Sequence, residues 1–223
     1  MHAFSINLFS EIHADQNSSC TEGFLSDQAL RMIATPSFQE SNPVFEHSVS
    51  TSSAHSSRQH IIPSMMIATS GLLTKWTFAA RFNHNGEEGS WPELQIWRKS
   101  SKSGTQYTKI SGTSMEPRPI TGYLNVYEYD LSKNPIEVKA GDVLGIYQPN
   151  LEDTQYMLGF LADSSVVDNI IDVSTNYIMY DVDLPVQEVN IMDRGVQSQD
   201  LLPLIFAAIQ GKRSITVPII QYN

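Results

Sequence analysis

Leu72-Leu-Thr-Lys-Trp-Thr-Phe-Ala-Ala-Arg-Phe82 is the stretch whose pattern decides the fold. Its even-numbered positions, Leu72, Thr74, Trp76, Phe78, Ala80 and Phe82, form one set, and Leu73, Lys75, Thr77, Ala79 and Arg81 form the other. Side chains two residues apart share a face of a strand, so this alternation predicts a long strand with one buried side. The segments that follow have the same character: Leu94–Arg98, Tyr107–Ile110, Tyr123–Tyr129, Ile136–Val138 and Val143–Tyr147. Turn residues separate them, at Asn83–Ser90, Lys99–Thr105, Ser132–Pro135, Lys139–Asp142 and Pro149–Thr154. Short strands at this spacing predict an all-β sandwich with antiparallel, jelly-roll-like connections. Trp76, Phe78 and Leu94 are expected between its two layers.

Outward from that body, further strands are expected at Gln155–Ala162 and Asn176–Val182. Pro203–Gln210 is almost continuously apolar and is expected to be a central strand. One short helix is expected over Ser26–Ala34, packed on one edge: Ser26 is a good N-cap, Asp27 favours the positive end of the helix dipole, and Pro36 closes it. Gln39–Gln59 is rich in Ser, His and Asn without periodicity and reads as a loop. The chain therefore divides into a frayed tail over residues 1–19, one sandwich domain over 20–210, and an edge strand or the start of a linker over 211–223.

Charge narrows the partners. The chain has 223 residues and a formal net charge of −10, from 14 Lys and Arg against 24 Asp and Glu. Ten carboxylates and no Lys or Arg fall between Gly141 and Asp193. Basic side chains supply most non-specific affinity for nucleic acid, so no nucleic-acid partner is expected, nor an anionic membrane surface. No stretch approaches the length of a membrane span. Met1–Gln16 lacks the charged and apolar regions of a secretory signal, so either the protein is not exported or this chain is a fragment of one that is.

Catalytic motifs are missing from the sequence. All six histidines precede Asn85 and read as tail and loop residues. The chain has no Gly-x-Ser-x-Gly elbow, no phosphate-binding glycine loop and no His-Glu-x-x-His. The single cysteine, Cys20, has no positioned base or cation beside it in sequence. A non-enzyme is the expectation, with no cofactor.

Binding residues are more plausible. Tyr123, Asn125, Tyr127 and Tyr129 share one side of their strand, with Leu124 and Val126 on the side expected to face the core. With Trp97, Tyr107 and Tyr147 the tyrosines are candidates for a glycan-stacking face, against the plainer reading of cross-strand packing. Asn83 and Asn85, in the Asn- and Gly-rich turn, are candidate ligand contacts. Asp181 and Asp183 are spaced to place two carboxylates on one face, where calcium would relieve their repulsion, though calcium wants six to eight oxygens and solvated surface charge is the default. Asn17-Ser-Ser19 is a glycosylation sequon, a pattern that also arises by chance. The loops Asn83–Ser90, Lys99–Gly104 and Pro149–Thr154 are the expected contact surface.

Several runs resemble a family. They are Ile62-Pro-Ser-Met-Met-Ile67, Gly71-Leu-Leu-Thr-Lys-Trp-Thr-Phe-Ala-Ala80, Pro92-Glu-Leu-Gln-Ile-Trp-Arg98, Tyr107-Thr-Lys-Ile110, Asn125-Val-Tyr-Glu-Tyr129 and Ala140-Gly-Asp-Val-Leu-Gly-Ile-Tyr-Gln-Pro149. Together they resemble an uncharacterised β-sandwich domain of extracellular, often multidomain or membrane-anchored, invertebrate proteins. The runs Cys20-Thr-Glu-Gly-Phe-Leu-Ser-Asp-Gln28 and Pro203-Leu-Ile-Phe206 look like its start and end, so the resemblance covers Cys20 to Gln210. It implies an extracellular or cell-surface location and a recognition or adhesion role toward a protein or glycan ligand, and it carries no site residues. Such domains often have a Cys just before the Gly that opens the Trp-containing strand; here that position is Thr69. If Cys20 ordinarily pairs there, this chain has forgone the bridge, which leaves a cytoplasmic location as the alternative.

Overall fold

The computed structural model describes residues 27–33, 57–82, 90–116, 125–150, 153–154, 156–162, 175–190, 197–199 and 201–211. These residues form an antiparallel β-sandwich. One layer is a seven-stranded sheet. Its chain-order members are β1 (Arg58–Met66), β3 (Glu93–Lys99), β4 (Gln106–Ser114), β7 (Val143–Gln148), β10 (Thr175–Asp181), β11 (Glu188–Asn190) and β12 (Gln197–Gln199), and they lie in the order β11-β4-β3-β7-β1-β10-β12. The other layer is built around β2 (Gly71–Phe82), with β14 (Ile205–Gly211) on one side and β5 (Asn125–Asp130) and β6 (Ile136–Val138) on the other. The chain crosses between the layers from β1 to β2, β2 to β3, β4 to β5 and β6 to β7, which is jelly-roll-like connectivity.

β2 organises its layer because it is long enough to hold different partners along its length. Beside β14 it pairs from Gly71 to Phe78, and beyond that β8 (Tyr156–Leu158) takes the same edge from Ala80 to Phe82. The exchange happens at one junction. Ala79 N donates to Leu204 O, Gly159 N donates to Ala79 O, and Leu204 N donates to Gly159 O, at 2.9, 2.8 and 2.9 Å. There β9 (Phe160–Ala162) inserts to pair with β13 (Leu201–Pro203). The run expected as one strand over Gln155–Ala162 is thus two, broken at Gly159.

The alternation along β2 changes phase. Leu73 is opposite Ile209 and Lys75 is opposite Ala208, so Thr74 is an extra, bulged residue. A bulge shifts the inward set by one position. Leu73 therefore joins Trp76, Phe78 and Ala80 in the core, and Leu72, expected there, is only half-buried. Trp76, Phe78 and Leu94 are all buried in that core, together with Ile62, Ile96, Leu144, Ile146, Ile205 and Ile209. Burial of each large apolar side chain contributes about 1.5–3 kcal/mol, so this cluster is what binds the two layers.

β14, expected in the middle of a sheet, is hydrogen-bonded along one side only among the described residues. Its apolar run has another cause. Ile205, Ala207 and Ile209 face the core, while the helix α1 (Asp27–Ile33) lies against β14 and β2, with Leu30 fully buried. Thr77 and Ala79, on the outward side of β2, are buried as well. Arg31 of the helix pairs with Asp27 at 2.9 Å and with Glu128 of β5, which Lys75 also reaches at 3.2 Å.

The seven-stranded sheet has a second, smaller core on its other face, made of Ile61, Trp97, Tyr107, Val143, Ile178 and Val189. A strap covers it. The chain leaves β10 at Asp181 and enters β11 at Glu188, passing from β10 near one edge to the opposite edge in residues 182–187. Five strand spacings amount to about 24 Å on a flat sheet, the full reach of seven extended steps. The strap bends at Asp183 and Leu184, so the crossing requires the sheet to curl toward it. Val182 and Val186 pack downward onto the second core.

Candidate recognition surface

Two of the three expected contact loops meet at one end of the sandwich. Ser90 N donates to Asp153 O at 3.1 Å, tying the β2–β3 connection to the β7–β8 turn. The rings of Trp91 and Tyr156 then pack across the same join, with centroids 4.6 Å apart and planes tilted by 42°. Both side chains are half-buried. The third loop, Lys99–Gly104, joins the far ends of β3 and β4 and lies at the opposite end. Asn83 and Asn85 lie outside the described residues, as do Tyr123 and the sequon at Asn17.

The β7–β8 turn is held by its own polar groups. Asn150 Nδ2 donates to Asp153 Oδ2 at 2.7 Å, and Asp153 N donates back to Asn150 Oδ1 at 2.8 Å. Asn and Asp form such side-chain turns because their short polar arms reach backbone groups two or three residues away. Asn150 N donates to Ser57 Oγ at 3.1 Å, which anchors the turn to the start of β1. Gln148 stitches the layers beneath: its Nε2 donates to Tyr156 O at 3.2 Å and its Oε1 accepts from Leu158 N at 3.3 Å. Thr154 Oγ1 accepts from Tyr156 N at 3.1 Å. A carboxylate, an amide and two aromatic rings thus sit at the rim on a rigid hydrogen-bonded base, with the Asp153 side chain exposed.

Tyr127 and Tyr129 are on the opposite face from the one expected. Tyr127 is in register with Phe78 and Tyr129 with Trp76, and residues directly opposite in a ladder point the same way. The tyrosines therefore share the core side of their sheet. Tyr127 stacks on Phe78, with centroids 5.8 Å apart and planes at 29°. Burial pushes its hydroxyl up to about 12, Tyr156 adds to the shift, and a hydrogen bond with Asn125 opposes it. Tyr129 is 40% exposed and lies at the margin of the same row.

The other aromatics proposed for a stacking face are not accessible. Trp97, Tyr107 and Tyr147 are all buried beneath the strap, because the face of the seven-stranded sheet that carries them is roofed rather than open. Asp181 and Asp183 do not share a strand face either. Asp181 ends β10 and approaches Arg58 at 3.4 Å, while Asp183 belongs to the strap, where its backbone oxygen accepts a hydrogen bond from the Tyr147 hydroxyl at 3.1 Å. Among the described residues no three His, Cys, Asp or Glu side chains gather as a metal site would require.

Beneath the strap runs a polar chain that the alternation of the strands concealed. Lys109 Nζ donates to Glu93 Oε1 at 3.0 Å, and Gln95 Nε2 donates to the same oxygen at 3.3 Å. Gln95 Oε1 then accepts from Trp97 Nε1 at 2.8 Å and from Gln59 Nε2 at 2.6 Å. Four strands are linked by side chains in this way, since Gln59 Nε2 also lies 3.2 Å from Ile146 O. His60, read as a loop residue, is in β1 and wholly buried on the core side. Burial, helped by the charge of Arg58, lowers its pKa to about 3. The sequence signal for the loop join was present in Asn150-x-x-Asp153 and in Trp91-Pro92 before a strand; nothing in the sequence marks Gln59, Gln95 or His60.

No protein-family model, no curated protein and no solved structure matches the chain.

Proposed function

We propose that this chain is a non-catalytic recognition module of an extracellular or cell-surface protein, which contacts a partner protein through the end of the sandwich bearing Trp91, Asn150, Asp153 and Tyr156. The observation that carries the reading is the join between the two loops there, made by Ser90 with Asp153 and Trp91 with Tyr156. Groups held before binding, here Ser90, Trp91, Asn150 and Asp153, lose little further entropy on contact. The location rests on the resemblance to extracellular invertebrate domains.

A second reading is a lectin-like module, and one observation favours it: a half-buried aromatic pair lies next to an amide and an exposed carboxylate. Rings cover the C–H faces of sugars while planar polar groups bind hydroxyls. Calcium would assist only by adding Asp153 to oxygens of the sugar.

The test is binding of the purified chain to arrays of extracellular ectodomains and of glycans, with and without EDTA. Binding to an ectodomain that falls at least about tenfold with Asp153→Lys, and holds with Lys102→Glu at the opposite end, supports the first reading. Glycan binding with the same dependence supports the second. Binding indifferent to Asp153→Lys on both arrays, or none, overturns the assignment of this end.

A further inference from the structure

The geometry points to a second interaction surface, distinct from the loop end: the apex of the strap, where Leu184 and its acidic neighbours fit a partner protein with an apolar pocket rimmed by Lys and Arg. Single exposed apolar residues are ordinary on protein surfaces. Leu184 differs from that background in three ways.

First, it is 74% exposed, while Met66, Ile110 and Tyr129 reach 38%, 38% and 40%. Second, its backbone is held. Val182 N donates to Ser57 O at 3.0 Å, the Tyr147 hydroxyl donates to Asp183 O at 3.1 Å, and Lys109 N donates to Gln187 O at 2.8 Å. Val182 and Val186 are packed downward on either side of it. A leucine lifted on a segment fixed before and after it is ready to enter a pocket without first ordering the chain. Third, exposed carboxylates surround it in sequence, with Asp181, Asp183 and Glu188 all exposed. They lie within the span from Gly141 to Asp193 that has ten carboxylates and no Lys or Arg.

Charge selects the occupant. A second copy of this chain has a net charge of −10 and would be repelled, as would an anionic membrane or nucleic acid. A basic-rimmed protein pocket gains steering from the acids and burial from the leucine. The strap starts beside the loop end, where Ser57 accepts from both Asn150 N and Val182 N, and crosses the outer face of the seven-stranded sheet toward β4. Each surface is tested by substitutions the other does not use.

The experiment pans a phage-displayed random-peptide library on the purified chain, with excess soluble Leu184→Ser protein as competitor. Leu184 is exposed, so the variant is expected to melt with the wild type, and Asp183→Lys serves as an independent second variant. The expected result is enrichment of peptides with Lys or Arg around a large apolar residue. Their synthetic versions bind wild type in calorimetry and lose at least about tenfold in affinity with either variant. Binding weakens as ionic strength rises from about 0.01 to about 1 M, over which the screening length falls from about 30 to about 3 Å. Tyr147→Phe, which removes the central hydrogen bond without touching the apex, weakens binding severalfold. Enrichment of neutral or acidic peptides, equal binding to Leu184→Ser, or no enrichment overturns the inference.

Discussion

The indole of Trp97 lies across Gly145 of the neighbouring strand, so closely that a Cβ at that glycine would overlap the ring nitrogen and approach His60 O to 3.1 Å. Trp97 is fully buried and its Nε1 is committed to Gln95 at 2.8 Å, so neither the ring nor the backbone has room to yield. Gly145→Ala is expected to cost about 1–3 kcal/mol or more, in the range of overpacked cores. Urea unfolding should show a lower midpoint with an unchanged slope; an unchanged midpoint would show that the indole is free to move.

Gly112 makes the contrasting case. A Cβ there would overlap the Glu93 carboxylate and lie 3.2 Å from Glu93 Cγ. Glu93 is flexible and partly exposed, so it can swing aside, loosening the bonds it accepts from Lys109 and Gln95. Gly112→Ala is expected to cost roughly 0.5–1.5 kcal/mol, for weakening the two hydrogen bonds that Glu93 Oε1 accepts from Lys109 and Gln95. The two alanine variants measured side by side should rank Gly145 above Gly112, and the reverse order would refute the argument from flexibility.

His60 predicts an acid limb of stability. Its folded pKa of about 3 lies below the ordinary 6.5. Above pH 6.5 neither state holds the proton and the residue is neutral to stability. Between those two values the unfolded chain binds a proton that the folded chain refuses, so stability falls on acidification. From about pH 7 to about pH 5 the loss from this site is about 2 kcal/mol. His60→Leu should flatten that limb by the same amount in chemical denaturation at the two pH values, and an equally steep limb in the variant would assign the effect elsewhere.

Asp142 joins a turn to a strand. Both its oxygens accept from Arg98, each at 2.7 Å, and Oδ2 also accepts from Lys139 N at 2.7 Å. The carboxylate holds the Arg98 pKa above its ordinary value, although burial opposes this. Asp142 is buried and Arg98 is about a third exposed, so Asp142→Ala is expected to cost about 2–4 kcal/mol, below the full value for a wholly buried pair. Asp142→Asn keeps an acceptor for Lys139 N and should cost less. Thermal unfolding of the two variants checks the order.

Much of the sandwich was legible because strand periodicity is local. Leu94 and Ile96 point inward as their alternation says, and so do Leu144 and Ile146. Legibility failed where one inserted residue changed the phase, at Thr74, and where a face expected to be open was covered. The tyrosine strand shows the second failure in reverse. Its alternation is a local property, but which side meets the core depends on its pairing with β2, through Tyr127 opposite Phe78. At the candidate site, Asn150-x-x-Asp153 announced a turn; that this turn would meet Ser90 and Trp91 depended on how β3 and β8 come together.

The order of residues alone determined the β character of this chain, its two-layer core around Trp76, Phe78 and Leu94, and the acidic cast of its later half, because alternation and charge are properties of neighbours in sequence. Only the tertiary structure decided that β14 has one strand neighbour at each point among the described residues, that His60 and Gln59 are buried, that two loops share one end, and that a strap carries Leu184 over the curled sheet. Those features arise between residues distant in the chain, where sheet order, curl and register set the neighbours.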